Sequence, residues 1–235
     1  MKILGLIFGA LVLISGPASA DSWANGVSFY SDRVRRGISQ TDGPAIAGEI
    51  KYNADAGWFA GLWVGNVKYD NVAGESVELL PFFAYGHRIG SVRAEIGVLH
   101  HSYPGSSRPI DYDEAEFTLS HKLGPGSISG GTYYRLRSQS GGHSWYWFAD
   151  GRWPLGSLKG AKVALGLHAG LYRDPAGSLN DYADQSIGLF ATRGRAILGL
   201  GVSNSNLSRR STTPGSPDSG TKIYLSFTRM FRRSH

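Results

Sequence analysis

Beyond residue 20 the chain keeps a period of two through nearly every apolar stretch. Between 91 and 101, Val92, Ala94, Ile96 and Val98 alternate with Arg93, Glu95 and His101. Between 112 and 123, Ala115, Phe117, Leu119 and Leu123 alternate with Glu114, Glu116, Ser120 and Lys122. From 160 to 172, Val163, Leu165, Leu167, Ala169 and Leu171 alternate with Lys162, His168 and Tyr172. Extended backbone sends successive side chains to opposite faces, so each segment is a strand with one apolar and one polar side. No such segment reaches the ~18 unbroken apolar residues of a membrane-spanning helix. A soluble sandwich also alternates, so the choice between sandwich and membrane barrel falls to the breaks between strands.

Turn signals divide the chain into about twelve strands, at 25–36, 44–54, 57–69, 75–87, 91–102, 112–123, 126–138, 143–153, 160–172, 181–192, 195–205 and 220–231. Ala54-Asp55-Ala56, Arg88-Ile89-Gly90, Gly124-Pro125-Gly126 and Arg193-Gly194 are tight turns. Between them lie longer polar loops at 103–111, 173–180 and 206–220. Short turns at one end and long loops at the other are the pattern of an outer-membrane barrel. The predicted fold is therefore all-β, an antiparallel up-and-down transmembrane barrel of about twelve strands. Two places strain this reading. Residues 154–160 are long for a tight turn, and Pro81 falls inside the fourth strand, where it forfeits a ladder bond and points to a bulge or a displaced register.

Such a barrel must be exported, and the N-terminus is built for export. Lys2, an apolar run from Ile3 to Ile14, a helix break at Gly16-Pro17 and the small residues Ala18-Ser19-Ala20 follow the order of a secretory signal peptide. Cleavage is expected near Ala20, leaving one barrel domain over 21–235, placed in the cell outer membrane of a Gram-negative bacterium. The mean hydropathy of −0.19 fits a barrel, whose lipid-facing and lumen-facing residues cancel. With no cysteine the chain holds no disulfide or thiolate metal site, and it has no HExxH, phosphate loop or dinucleotide fingerprint. No cofactor is expected. Gly130-Gly131 and Gly141-Gly142 have no following helix and read as backbone relief. The net charge of +6 is assigned to lumen and loops, because an exported protein meets little nucleic acid.

The last strand sets Ile223, Leu225, Phe227 and Phe231 on one face, an aromatic-terminated strand of the kind presented to the barrel assembly machinery. Arg229 shares that face, so it belongs near an interface where it can snorkel.

The stretch Gly26-Val27-Ser28-Phe29-Tyr30-Ser31-Asp32-Arg33-Val34-Arg35-Arg36-Gly37-Ile38-Ser39-Gln40-Thr41-Asp42-Gly43-Pro44-Ala45 resembles the opening of the TorF-family porins, and the likeness continues from Gly57 to Val67. It is strong over 26–70 and architectural afterwards. Arg33 stands where that family usually has an aromatic residue, and the hairpin tip is slightly shorter. The resemblance implies an outer-membrane barrel more than it implies a substrate. Read as residues, Arg36-Gly37 and Asp42-Gly43 make a polar hairpin tip, with Gly37 free to take an unusual backbone angle. Asp32 can pair with Arg33, Arg35 or Arg36 at the barrel mouth. The segment is either a structural hairpin held by its own ion pairs, the favoured reading, or an ion-attracting rim or folded-in constriction.

With the apolar faces on lipid, Glu49, Lys51, Arg93, Glu95, Glu114, Glu116, Arg135, Arg137, Asp150, Arg152, Lys162, Asp184, Arg195 and Lys222 point inward. Together with Asp32, Arg35 and Arg36 they are the candidate pore-lining and rim residues. Basic groups are slightly ahead, so a pore of this kind passes ions or small solutes with a mild anion preference. A closed structural barrel is the other outcome of the same size argument. An enzymatic alternative is an outer-membrane lipid hydrolase using Ser102 and His100, with Asp113 on the neighbouring strand as the third member. His143-Ser144 is a poorer pair, because adjacent strand residues point apart. A binding barrel is the third class, its Arg209-Arg210 loop touching lipopolysaccharide phosphates. The expected partners are outer-membrane lipids and lipopolysaccharide, the assembly machinery, and small solutes or ions.

Overall fold

A computed structural model describes residues 21–68, 74, 76–138, 142–175, 180–207 and 220–234, with the side chains of 137–138 and 232–234 left out of the description. Among these residues the regular structure is all strand: β1 Ser22–Tyr30, β2 Val34–Arg35, β3 Ile38–Ser39, β4 Ala45–Asn53, β5 Trp58–Asn66, β6 Val77–Ile89, β7 Val92–His101, β8 Tyr112–Leu123, β9 Gly126–Ser138, β10 Trp145–Leu158, β11 Ala161–Arg173, β12 Tyr182–Arg193, β13 Ala196–Ser205 and β14 Lys222–Ser234. β1 and β4 to β14 form a closed antiparallel barrel of twelve strands, each paired with its neighbours in chain order. Closure comes from β1 lying against β14, from Ser22 opposite Ser234 to Tyr30 opposite Ser226. Closing the sheet leaves no edge strand with unpaired backbone, a requirement for any sheet immersed in hydrocarbon.

The alternation sorts side chains by face as expected. Ile50, Leu62, Phe83, Ile96, Phe117, Leu167, Ile187, Leu200 and Leu225 are exposed on the outer wall, while Phe59, Leu80, Phe82, Tyr133, Tyr146, Phe190 and Tyr224 are buried inside. An apolar band of this extent is a liability in water and the natural partner of acyl chains. Trp23, Tyr52 and Trp58 pack as tilted rings at 5.2 and 5.3 Å along the turn end of β1, β4 and β5, and Tyr134 with Trp145 at 4.3 Å marks the loop end of β9 and β10. Arg229 lies opposite Ala196, beside the Gly194-Arg195 turn, where its long stem reaches the interface. Leu200 sits in the middle of β13. Leu200→Arg is therefore expected to cost about 2–4 kcal/mol and to lower the folded yield in liposomes. Arg229→Leu is expected to leave that yield nearly unchanged, read by heat-modifiable gel mobility.

Three local expectations are corrected. The first strand does not run from 25 to 36: it ends at Tyr30, and β2 and β3 leave the wall as a separate hairpin. The segment 154–160 is not a long turn, because β10 continues to Leu158 through an irregularity between Pro154 and Gly156 and turns at Lys159-Gly160. Pro81 causes neither a bulge nor a slip. Leu79 and Ser102 exchange both backbone bonds at 2.9 Å, and Phe82 opposite Leu99 keeps the same register. Pro81 falls at the next position of the bonded type, opposite His100, so the missing N–H lapses one rung and nothing else.

Candidate functional site: the arginine hairpin in the barrel lumen

After Tyr30 the chain turns away from the wall and into the barrel. Val34 pairs with Ser39 and Arg35 with Ile38 across a two-residue loop, Arg36 at φ 50° and Gly37 at φ 74°. Two positive φ values make the tight mirror-image turn typical of short hairpins. Glycine is required at the second position for another reason. A Cβ on Gly37 would stand 2.5 Å from the Cβ of Asp184 and 2.8 Å from that of Ser205. The tip thus rests directly on β12 and β13, about a quarter of the circumference from its root between β1 and β4. Asp42 at φ 44° and Gly43 then return the chain to β4.

The hairpin arginines carry the attachment to the wall. Arg33 Nη2 donates to Glu78 Oε2 at 2.6 Å while its guanidinium lies 4.1 Å over Trp63. Arg36 donates to both oxygens of Glu114, at 2.8 and 3.0 Å, and lies over two neighbouring rings of the wall, Tyr133 at 4.6 Å and Tyr146 at 4.5 Å. Arg35 reaches Glu114 Oε2 at 3.1 Å and the Tyr112 hydroxyl at 2.9 Å. His101 links the two carboxylates, with Nδ1 2.7 Å from Glu78 and Nε2 3.2 Å from Glu114, and stacks on Tyr112 at 4.1 Å. Tyr103 donates to Glu78 at 3.1 Å. Glu78 and His101 are fully buried and Glu114 is 1% exposed, so the two carboxylates have no access to solvent and depend on the arginines that pair with them. Arg33 Nη1 and Arg36 Nε find no hydrogen-bond acceptor among the described residues and are faced by aromatic rings instead.

Expected pairings and observed ones differ here. Asp32 accepts from Ser39 at 2.5 Å and Thr41 at 3.3 Å, so it braces the loop, while the arginines bond to the barrel wall. The hairpin is held by ion pairs, but they are not its own. A second cluster lies beside the tip. His168 Nδ1 is 2.7 Å from Asp150, Nε2 is 3.0 Å from Asp184, and the Tyr146 hydroxyl reaches His168 at 2.7 Å and donates to Asp184 at 3.0 Å. Toward the turn end, Lys51 lies 5.0 Å from the Phe59 ring, Arg93 pairs with Glu95 at 3.0 Å, Thr118 donates to Glu116 at 3.0 Å, and Arg152 lies 5.3 Å over Phe190. Arg135 covers Tyr112 at 4.2 Å.

By strand parity Glu49, Lys51, Arg93, Glu95, Glu114, Glu116, Arg135, Asp150, Arg152, Lys162, Asp184 and Lys222 are on the inner face, with Lys162 at the turn end and Lys222 at the loop end. Arg195 is misplaced by the sequence reading: it occupies an exposed turn, outside any strand. The Arg137 side chain, residues 1–20 and the Arg209-Arg210 loop fall outside the described residues. Glu78, His101, Tyr133 and Tyr146 were not among the candidates. Glu78 shares the period of Leu80 and Phe82, so it was legible as inward, but Pro81 obscured the register there.

The proposed Ser-His-Asp relation is not assembled. His100 and Asp113 do meet at 2.7 Å on the outer face, about half exposed, but Ser102 Oγ donates to Asp111 at 3.3 Å. No hydrogen bond joins Ser102 to His100 among the described residues.

No curated protein matches the sequence. Among solved structures, the chain is similar to an outer-membrane channel from Pseudomonas putida, with a TM-score of 0.52 at 10% identity, covering 91% of this chain and 96% of that one. It is also similar to a membrane protein crystallised in meso, with a TM-score of 0.55 at 10% identity, covering 91% of this chain and 85% of the other. At such identity the likeness speaks to fold, and that fold is the outer-membrane barrel. The sequence model of the family described as "Bacterial protein of unknown function (Gcw_chp)" matches residues 14–216, and the chain belongs to that family.

Proposed function

We propose that this protein is a porin-like barrel of the outer membrane, of the kind the TorF-family resemblance implies. Its long loops face outward, and passive flow of ions or small solutes is governed by the lumenal hairpin. The carrying observation is the arginine hairpin latched across a charged interior and enclosed by a lipid-facing wall. A closed structural barrel needs no charged interior, since apolar side chains fill a lumen more cheaply than desolvated ions. The similar Pseudomonas protein is an outer-membrane channel, which supports the reading. In this reading the protein is not an enzyme, and it arrives by signal-peptide cleavage near Ala20 and insertion by the assembly machinery.

Arg33, Arg35, Arg36 and Arg135 outnumber Glu78 and Glu114 where the hairpin meets β6 and β8, and this local basic cluster favours anions, with Asp150 and Asp184 beside the tip as the opposing acidic charge. Purified protein in planar bilayers is expected to show small discrete conductance steps, with reversal potentials under a salt gradient on the anion side. Silence from both the native protein and a variant lacking the hairpin sinks the pore reading. A cation-side reversal potential removes the anion preference alone.

A further inference from the structure

The outer wall carries a groove that the pore reading does not use. It has a volume of about 560 Å³ and crosses four strands, β10 to β13. Two adjacent register rows form it. Ala149, Ala169, Gln185 and Asn204 are successive partners in the upper row, and Gly151, Leu167, Ile187 and Val202 in the lower. Small side chains at 149, 151 and 169 open the floor, and Trp153 closes the lower end by laying its indole over Gly151. Three inter-strand steps of about 4.8 Å give a run of about 14 Å, the length of roughly a dozen methylenes.

The groove is apolar except at one end. Asn204 is next to last in β13 and Gln185 is fourth in β12, so this end lies by the loops. From there the rows descend toward the middle of β10, where Ala149 is the fifth of fourteen residues. Asn204 donates to Thr221 at 2.9 Å. Gln185 is exposed on this lipid-facing wall and its carboxamide makes no hydrogen bond among the described residues. At the edge of the hydrocarbon, where water thins out, a lipid carbonyl is the acceptor at hand for such a donor.

We infer that the groove seats one acyl chain of lipopolysaccharide, with the carbonyl of the chain's ester or amide linkage accepting from Gln185 Nε2. The apolar run is continuous with the wall that already touches lipid. The amide end stands at interface depth in the leaflet the loops face, and the tail end lies toward the midplane. The inference rests on the loops facing outward and is independent of whether the lumen conducts.

The test is photo-crosslinking in intact cells, with a benzophenone amino acid replacing Leu167 on the groove rim, and replacing Leu119 on the outer face of β8 as a control. The expected result is a lipopolysaccharide adduct about five-fold stronger at 167 than at 119, the effect of roughly one net hydrogen bond. Gln185→Leu and the floor-filling Ala149→Phe are expected to bring position 167 down to the control, while Ala115→Phe, outside the groove, leaves it unchanged. Equal yields at both positions overturn the site. So does a phospholipid adduct at 167, or a dimer of this chain there. Heat-modifiable mobility confirms that each variant is a folded barrel, and conductance, recorded separately, reports on the pore reading alone.

Discussion

Glu114→Ala is expected to unlatch the hairpin and raise single-channel conductance severalfold. Glu114 accepts from Arg35 and Arg36 and contacts His101, and all of these bonds lie away from water. Removing one partner of a buried ion pair costs about 3–5 kcal/mol, because the remaining charge is stranded. Here two guanidinium groups are stranded at once, and the least costly relief is for the hairpin to leave its seat and rehydrate them. The barrel itself is held by backbone ladders around its circumference and does not depend on this carboxylate. Glu114→Gln keeps the shape and one acceptor and is expected to show an intermediate effect. Trypsin supplies a second readout. Arg33 and Arg36 are buried in the native protein, and the variant is expected to be cut among residues 33–36 from the loop side of sealed vesicles. A variant with native conductance and native trypsin resistance overturns the latch.

Gly37→Val attacks the same seat from the opposite wall. A β-branched residue at φ 74° is strained by about 1–2 kcal/mol from backbone sterics alone. The larger effect is the collision with Asp184 and Ser205, whose strands are fixed in the barrel and cannot retreat. The hairpin must therefore tilt away from β12 and β13, which also shifts Arg36 on its seat over Tyr133 and Tyr146. Conductance and trypsin sensitivity are expected to rise together, while heat-modifiable mobility stays that of a folded barrel. Leu198→Val on the exposed outer face of β13, away from the tip, is expected to change trypsin sensitivity little. Loss of the folded band in Gly37→Val would instead assign Gly37 to barrel assembly.

Most of the wall was legible in the sequence. The segments 91–102, 112–123 and 126–138 coincide with β7, β8 and β9 to within a residue or so, because alternation and a tight turn are local properties that need no partner to be read. Errors arose where two local signals competed. Pro154 read as a strand end, yet the strand continued through an irregularity. Pro81 read as a lost ladder bond with a bulge or a displaced register, yet only the one rung lapsed, because its missing donor falls on one side of the strand.

The hairpin shows where local reading stops. Its arginines, Gly37 and the Asp42-Gly43 turn were visible as a polar tip, and pairing with the adjacent Asp32 was the natural local guess. The actual partners, Glu78 and Glu114, are 45 and 78 residues away from Arg33 and Arg36.

What the sequence by itself determined is the two-faced strand: which side chains meet lipid, which face inward, and how many strands close the barrel. Periodicity encodes a face, and a face is all that lipid requires. The tertiary structure alone decided what fills the interior. Closing the sheet brings β6, β8 and β12 around one lumen, and the curvature sets which distant charges come within bonding distance of a loop that turns inward. That proximity follows from the circumference, and no pattern along the chain records it.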